Sequence, residues 1–470
     1  MRLIKGNFWL TDKTKMAVLV ILMLSAFFLG GSSRHDTLTL ILLRPISVLL
    51  TGWALYIFLE SNDRRLTLPL MCLLALFGWI LLQLIPLPSF IWQSLPGRSI
   101  VAEIDALRGA QHTWRPLTLS PSRTVNSLFA IFMPLGVLLL IGVIKEKYVD
   151  WLLPILVGLG FASALVGMAQ ILGPTDGPLY FYKITNSGLP VGMFANRNHH
   201  AIFLASLVPL VSYVLLFDER LKIKLAPRIA ILTVALVFMV VLTLMTGSRA
   251  GSLLIAGAII MLLLFAAKHF RGTVVPPRAT ARMRYVAMLR RYAIPATGVL
   301  AVFIVGLTLH LSDSEAIARL NQNDTNSEVR FKTLPYVADM AWAYLPFGSG
   351  FGSFEFVYKI IEPDALLTPS YFNQAHNDIL QVIIEGGIPA VAILAVFLWW
   401  LAKLAIPATV SAWRAGATTR GSERIWRLAA VLLAIIIVLL GGIADYPVRT
   451  PLMMSYVALL TGVATRSRHS

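Results

Sequence analysis

The chain alternates long apolar runs with short polar connections, and the runs are about twenty residues each. As helices, runs of that length match the hydrocarbon core of a bilayer. The pattern predicts twelve spans, near 16–31, 38–59, 66–87, 124–144, 151–172, 198–217, 229–246, 251–267, 293–311, 379–402, 428–444 and 450–465. Met16 to Gly30, flanked by Lys13 and Lys15, also has the form of a signal peptide; we read it as an uncleaved first helix. Two segments are long enough to build structure outside the membrane: 86–123, rich in proline and aromatic residues, and 312–378, between the ninth and tenth spans. In the first, Trp92 and Trp114 are expected at headgroup depth. In the second, "RFKTLPYVADMAWAYL" carries a helical stripe at Leu334, Val337, Ala341, Trp342 and Leu345. The following "PFGSGFGSF" reads as a flexible turn between two helices, not as a dinucleotide fingerprint, because no strand–helix–strand unit surrounds it. The expected architecture is all-α: one polytopic membrane domain over 1–470 with a helical loop outside the bilayer.

Composition supports this and removes one alternative. The 470 residues are 57% hydrophobic and only 13% charged, well below the roughly 25% charged residues of soluble domains. A net charge of +17 could suggest nucleic acid, but the cations follow the topology. With the N-terminus inside, the inward connections hold Arg64 and Arg65, Lys145 and Lys147, Arg220 to Arg228, Lys268 to Arg291, Lys403 to Arg427, and Arg466 and Arg468. This is the positive-inside pattern, so no nucleic-acid partner is implied. The single cysteine, Cys72, falls in the third span and reads as packing. No internal repeat is visible.

The same topology sends three polar clusters to the outer face. "MFANRNHHAIF" places Asn196, Arg197 and Asn198 at the outer end of the sixth span, and "TGSRAG" places Ser248 and Arg249 in the next outer turn. "AHNDILQVIIEGG" places His376, Asn377 and Asp378 before the tenth span, with Glu385 two turns inside it. Each cluster has an ordinary reading: an arginine at a helix end snorkels to headgroups, and Asn377 and Asp378 can be N-caps. His199 and His200 read as interfacial. Arg249 is harder to dismiss, since small neighbours let a ligand approach and offer backbone N–H groups to an anion. "GSRAG" is not the elbow of a serine hydrolase, so no serine nucleophile is indicated. Together, two guanidinium forks could hold phosphate oxygens and a histidine could take a proton near neutrality. Within the spans, Arg44 and Glu385 are costly charges and candidates for function or for structural ion pairs. Asp445 and Arg449 of "ADYPVRTPL" sit in the last outer turn and could border the same cavity.

At these residues the chain resembles the O-antigen ligase/polymerase family of bacterial membrane glycosyltransferases. "GMFANRNHHAIFLA" is similar to that family's G-x-F-x-N-x-N-x-x-A segment, and "TGSRAG" to its S-R segment. "RFKTLPYVADMAWAYLPFGSGFGSF" and "AHNDILQVIIEGGIPA" resemble its arginine-to-glycine and H-N-x-x-L segments, in order, from about Gly192 to Pro389. The resemblance implies a membrane glycosyltransferase fold of the GT-C-like kind, in a bacterial inner membrane, with its site on the periplasmic face. It implies a glycan donor carried on undecaprenyl diphosphate, metal-independent transfer without a cofactor, and membrane lipids as surroundings. Arg197 and Arg249 would hold the diphosphate and His376 would act at the acceptor hydroxyl, with Arg330 at the site's edge. Phe331-Lys332-Thr333 departs from the family pattern and leaves Arg330 open. The acidic pairs Glu103/Asp105 and Asp313/Glu315 keep a metal conceivable.

The first expectation is therefore ligation of O-antigen to lipid A-core, using Asn196, Asn198, Ser248, Asn377 and Arg449 around the substrate. The alternatives are polymerisation of a repeat unit onto a growing glycan, transfer to a protein hydroxyl, and transport or flipping of a lipid-linked or anionic solute. Transporters commonly place polar sites at the midplane of repeated halves. Here the polar residues gather at the outer lip.

Overall fold

The computed structural model describes residues 11–62, 64–65, 67–270, 298–299, 303, 306, 325–367, 372–414 and 422–469. Most of the expected ninth span and the run 271–291 lie outside them, as do residues 312–324 with Asp313 and Glu315. Apolar runs become helices because the backbone must satisfy its own hydrogen bonds in lipid. They are α1 (Asp12–Leu29), α2 (Leu40–Glu60), α3 (Leu68–Leu82), the short α4 (Ser89–Trp92) and α5 (Ser99–Leu107), and α6 (Pro121–Val143). Then follow α7 (Glu146–Val149), α8 (Leu152–Leu172), α9 (Arg197–Leu216), α10 (Leu225–Met245) and α11 (Arg249–Phe270). After the undescribed stretch come α12 (Thr325–Ala343), α13 (Phe354–Ile361), α14 (Asp378–Arg414), α15 (Ser422–Ala444) and α16 (Pro451–His469). Among the described residues, seven helices are long and apolar enough to cross a membrane, with α3 and residues 249–265 as shorter apolar helices. The chain is a multi-pass, essentially all-α membrane protein.

The core sits around α9, which is apolar on every side and buried along nearly its whole length. It packs against α8, α10, α11 and α15, and Ser206 on it hydrogen-bonds Tyr456 of α16 at 2.9 Å. A second layer of α1, α2, α6 and α16 closes the bundle. The two ends differ in chemistry. At the end assigned inward by charge, Arg466 pairs with Glu146 at 3.1 Å, Arg220 with Asp218 at 2.6 Å, and Arg427 with Asp150. Within the bundle, the intramembrane Arg44 is spent structurally, donating to Asn126 of α6 and to the His35 carbonyl.

The outer end is built differently from the sequence expectation. Segment 86–123 folds as α4, α5 and a two-residue antiparallel ribbon in which Pro86 faces Pro116 and Leu87 faces Arg115. Trp92 packs inside the protein instead of facing headgroups: it is 1% exposed and donates its indole N–H to the Thr113 carbonyl at 2.9 Å. Trp114 is 62% exposed. A tryptophan with a reachable carbonyl behind it packs inward, because burial gains area and the N–H stays satisfied. Arg98 is buried too and was not anticipated; it donates to the carbonyls of Leu117 at 2.8 Å and Gly348 at 3.0 Å. Burial lowers its pKa to about 10, so it remains charged at neutrality. Of the acidic pair Glu103/Asp105, Asp105 is buried and clamped by Arg115, whose hydrogen bonds hold its carboxyl below the ordinary range.

On α12 the buried stripe is Val337, Met340, Ala341 and Tyr344, while Leu334 and Trp342 are exposed. The spacing i, i+3, i+4, i+7 describes one helical face, and Trp342 falls off it. "PFGSGFGSF" is a turn between α12 and α13, but it is locked instead of flexible. Gly348, Gly350 and Gly352 have φ of 80°, 102° and 83°, and a Cβ at Gly350 would lie 1.9 Å from Thr118 Oγ1. Only glycine fits such a backbone at such a distance. The turn is stitched to α14, with Ser349 N–H donating to Ile384 O at 2.8 Å and Gly350 N–H to Glu385 O at 2.9 Å. Those carbonyls are available because α14 is kinked at Gly387, where φ is 62° and ψ is −161°, and because Pro389 has no N–H to offer Glu385 O. Trp79 Nε1 and Gln83 Nε2 of the α3 end take the carbonyls of Gly386 at 2.8 Å and Glu385 at 3.0 Å. Every backbone carbonyl loosened by the kink thus has a partner.

Candidate active site

The outer lip gathers the starts of helices. Asn196 is the N-cap of α9, its side-chain oxygen accepting from Asn198 N–H at 2.8 Å. Arg197 follows on the first turn, partly buried, with its backbone N–H donating to Asn186 Oδ1 at 3.0 Å. Gly247, at φ 65°, turns the chain from α10 into α11. Ser248 is buried and its hydroxyl oxygen accepts from Gly251 N–H at 3.2 Å, so this serine caps α11. Arg249 is the next residue and is exposed. The two helix starts touch: a Cβ at Gly251 would lie 2.3 Å from Ala201 Cβ. Arg197 and Arg249 therefore stand at adjacent helix N-termini, where the helix dipole favours an anion.

A carboxylate ties this lip to the histidine. Asp445, 1% exposed, accepts from Asn198 Nδ2 at 2.7 Å through Oδ2 and pairs with His376 Nδ1 at 3.1 Å through Oδ1. With Nδ1 donating, Nε2 of the neutral ring is the acceptor nitrogen. The His376 ring is held between Phe372 at 5.2 Å and Tyr446 at 4.8 Å. Its backbone has φ 49°, a conformation costly for a residue with a Cβ and sustained only by its surroundings. Asn377 next to it uses its side-chain oxygen to cap α14, accepting from Ile379 and Leu380 N–H at 3.0 Å.

A third arginine, Arg449, lies in the turn before α16. Arg449 Nη1 lies 2.8 Å from Glu385 Oε2, and its Nε lies 3.6 Å from Asp378 Oδ1. Glu385 is fully buried inside α14 and also accepts from Gln381 at 3.1 Å and Phe354 N–H at 3.3 Å. Its intramembrane charge is thus compensated, and it aims Arg449.

The structure joins Asn198, Asp445 and His376 in one set of contacts and Arg449, Glu385 and Asp378 in another, with Asn377 capping α14 between His376 and Asp378 and with Arg197 and Arg249 at the helix starts. Arg330 lies on α12, with its side chain outside the described residues. Asn198 bridges to Asp445 through its side-chain amide, while Asn196 caps the helix. His199 and His200 are not interfacial: they are 1% and 0% exposed. His199 sits 3.9 Å from Asp445 and edge-on to Tyr446, and His200 Nδ1 is 2.8 Å from the Pro190 carbonyl. The loop before α9 folds over them because Gly192, at φ 57°, approaches within what would be 2.6 Å of His200 Nε2. Sequence reasoning did not single out Tyr446, which walls both His199 and His376. Its place in "ADYPVR", beside Asp445, was the available signal.

Residues 234–395 match a family model described as O-antigen ligase. The match includes Arg249, Arg330, His376 and Glu385, and leaves Arg197, Asp445 and Arg449 outside it. No curated protein matches the chain.

Proposed function

We propose that the chain is an enzyme of the O-antigen ligase/polymerase family, a reading that the match over residues 234–395 supports, and that it moves a glycan from undecaprenyl diphosphate to an acceptor hydroxyl. The site faces the periplasm of a bacterial inner membrane, within a GT-C-like bundle of twelve spans. Arg197 and Arg249 hold the diphosphate at two helix N-termini. The glycosidic C–O bond to the diphosphate breaks, the diphosphate departs with the electron pair, and the guanidinium groups stabilise that charge. The acceptor oxygen bonds to the sugar carbon as its proton passes to His376 Nε2. Asp445 fixes the ring through Nδ1 and steadies the imidazolium that forms, while Asn198 holds the other carboxylate oxygen. Arg449, set by Glu385 and Asp378, borders the acceptor side.

The observation that carries this reading is the chain of contacts from Asn198 through Asp445 to His376. It joins the helix start bearing Arg197 to a histidine far away in sequence. The acceptor we favour is lipid A-core, making the reaction O-antigen ligation; repeat-unit polymerisation uses the same donor chemistry with another acceptor. Purified protein given a lipid-linked glycan and lipid A-core should release undecaprenyl diphosphate together with glycosylated core. Translocation of the lipid without a new glycosidic bond would establish a transporter instead. In cells, a deletion that leaves bare lipid A-core marks a ligase, whereas core bearing a single repeat marks a polymerase.

A further inference from the structure

A cavity of about 440 Å³ has Asp378 and Arg449 in its wall, and neither Arg197 nor Arg249 lines it. Residues of α3, α6, α14, α15 and α16 line it. Its walls run from Arg123 to Leu138 on α6, about 22 Å of helix at about 1.5 Å per residue. That is most of the roughly 30 Å hydrocarbon thickness of a bilayer. Below its mouth the lining is hydrocarbon, from Leu73 and Leu76 of α3 to Ile393, Phe397 and Leu398 of α14. A shaft of this depth and chemistry suits a lipid tail and suits neither a free sugar nor a peptide.

The mouth of the shaft carries charged and polar side chains. Its arginines are already compensated: Arg34 pairs with Asp36 at 2.9 Å, Arg123 with Glu355 at 3.3 Å, and Arg449 with Glu385. Beside them lie the amides of Asn126, Asn373 and Gln374 and the Ser127 hydroxyl, of which Asn126 and Gln374 each accept one internal hydrogen bond through the side-chain oxygen and keep an amide NH₂. Arg123 Nη1 is in addition buried with no hydrogen-bond partner among the described residues. Uncharged donors and acceptors above a compensated base fit the hydroxyls of a saccharide better than a bare diphosphate. His376 is two residues from Asp378, which lines the cavity.

We propose that this shaft is the acceptor's site, taking the tail of a lipid-borne saccharide and delivering its head hydroxyl to His376. The proposal rests on the glycosyl-transfer reading. It implies that donor and acceptor lipids occupy separate paths, and that the acceptor is itself anchored in the membrane. An acyl-tailed saccharide and a prenyl-tailed one share this chemistry.

The test fills the shaft midway, with Ile393→Trp and, from the facing wall, Ala130→Trp; Val396→Trp on the outward face of α14 is the control. In vesicles, either shaft variant should raise KM for a lipid-borne acceptor about tenfold or more. Binding of bare undecaprenyl diphosphate should stay at the wild-type level, and Val396→Trp should change neither. Separate reactions with acyl-tailed and with prenyl-tailed acceptor identify which source the shaft serves. An unchanged acceptor KM, or weakened binding of bare undecaprenyl diphosphate, overturns the proposal. Wild-type protein with a diazirine-tailed disaccharide lipid gives an independent readout that needs no variant to fold. Label should map to α3, α6 and α14 and persist under excess bare undecaprenyl diphosphate; label elsewhere, or its competition, overturns the assignment. A wild-type protein that transfers to no acceptor sinks the glycosyl-transfer reading, while the labelling map still judges the shaft as a saccharide-lipid site.

Discussion

Replacing Asp445 by asparagine keeps the size of the side chain and removes both its charge and one acceptor. In the native site both carboxylate oxygens receive donors: Oδ2 from Asn198 Nδ2 at 2.7 Å, and Oδ1 from His376 Nδ1 at 3.1 Å and Tyr446 N–H at 3.0 Å. An amide offers only one oxygen, so one of these sides must face an NH₂ group, donor against donor. An unsatisfied buried donor costs about 1–3 kcal/mol, and relief comes by turning His376 to its other tautomer or by releasing Asn198. Either outcome disturbs the base, and the imidazolium formed during transfer loses its counter-charge. Positioned acid–base catalysis contributes about 100- to 10,000-fold, so kcat should fall within that range, roughly 3–5 kcal/mol of barrier. The assay is release of undecaprenyl diphosphate at saturating donor and acceptor, with the folded fraction checked by size exclusion in detergent. KM for the donor should change little, because Arg197 and Arg249 are intact. A kcat within about threefold of wild type, under about 1 kcal/mol, would refute the role given to the pair. So would an equal loss in donor binding, which would make Asp445 a scaffold of the anion site.

His376→Ala and Arg249→Ala should each abolish transfer in protein that remains inserted, and near-normal turnover in His376→Ala would remove its assignment as base. Arg197→Lys should raise the donor KM about tenfold or more, since an ammonium keeps the charge and loses the bidentate fork; Kd for undecaprenyl diphosphate checks it. Asp105→Asn should loosen the α4–α5 segment by about 1–3 kcal/mol, read as faster proteolysis near 107–113. Because Arg115 depresses the folded pKa of Asp105, that contribution is complete above the unfolded value, about 4, and fades as pH falls through the depressed one. Wild-type protection of the segment should therefore drop in strong acid, and Asp105→Asn should not share that drop.

The helices were legible because lipid leaves the backbone no other choice, so hydrophobic length alone gave each described span. The approach of Arg197, Arg249 and His376 to one face was also readable, from the parity of the crossings and the bias of the cations. Contacts between side chains were not. Trp92, Arg98 and His200 are residue types that favour interfaces, yet each is buried. What decided them is a carbonyl supplied from elsewhere, at Thr113, at Leu117 and Gly348, and at Pro190. Such partners are distant in sequence or fixed by turn geometry, and hydrophobic periodicity carries no trace of them. Asp445 was visible as a polar residue in the last outer turn. Its function as the joint between α9 and His376 depends on how α15 packs against α9, which no local pattern encodes.

Gly387 shows how the outer scaffold and the site depend on one another. A straight α14 would keep the carbonyls of Ile384 and Gly386 within its own ladder, leaving the glycine turn only that of Glu385, which Pro389 cannot pair. The kink and Pro389 together release the three carbonyls to Ser349, Gly350, Gln83 and Trp79, pinning α14 to the 346–353 turn and the end of α3. Glu385 lies on the pinned stretch, so its carboxylate and the Arg449 it holds inherit that rigidity. A Cβ at Gly387 would stand 2.2 Å from the Pro346 carbonyl oxygen, at φ 62°. Gly387→Ala must therefore push the turn away or straighten the helix, and strain of this kind costs about 1–3 kcal/mol before any contact is lost. If the site is positioned as described, the variant should lose more kcat than its fall in thermal stability explains, because Arg449 moves with the turn. Equal activity in Gly387→Ala at reduced stability would mean that the kink serves folding alone.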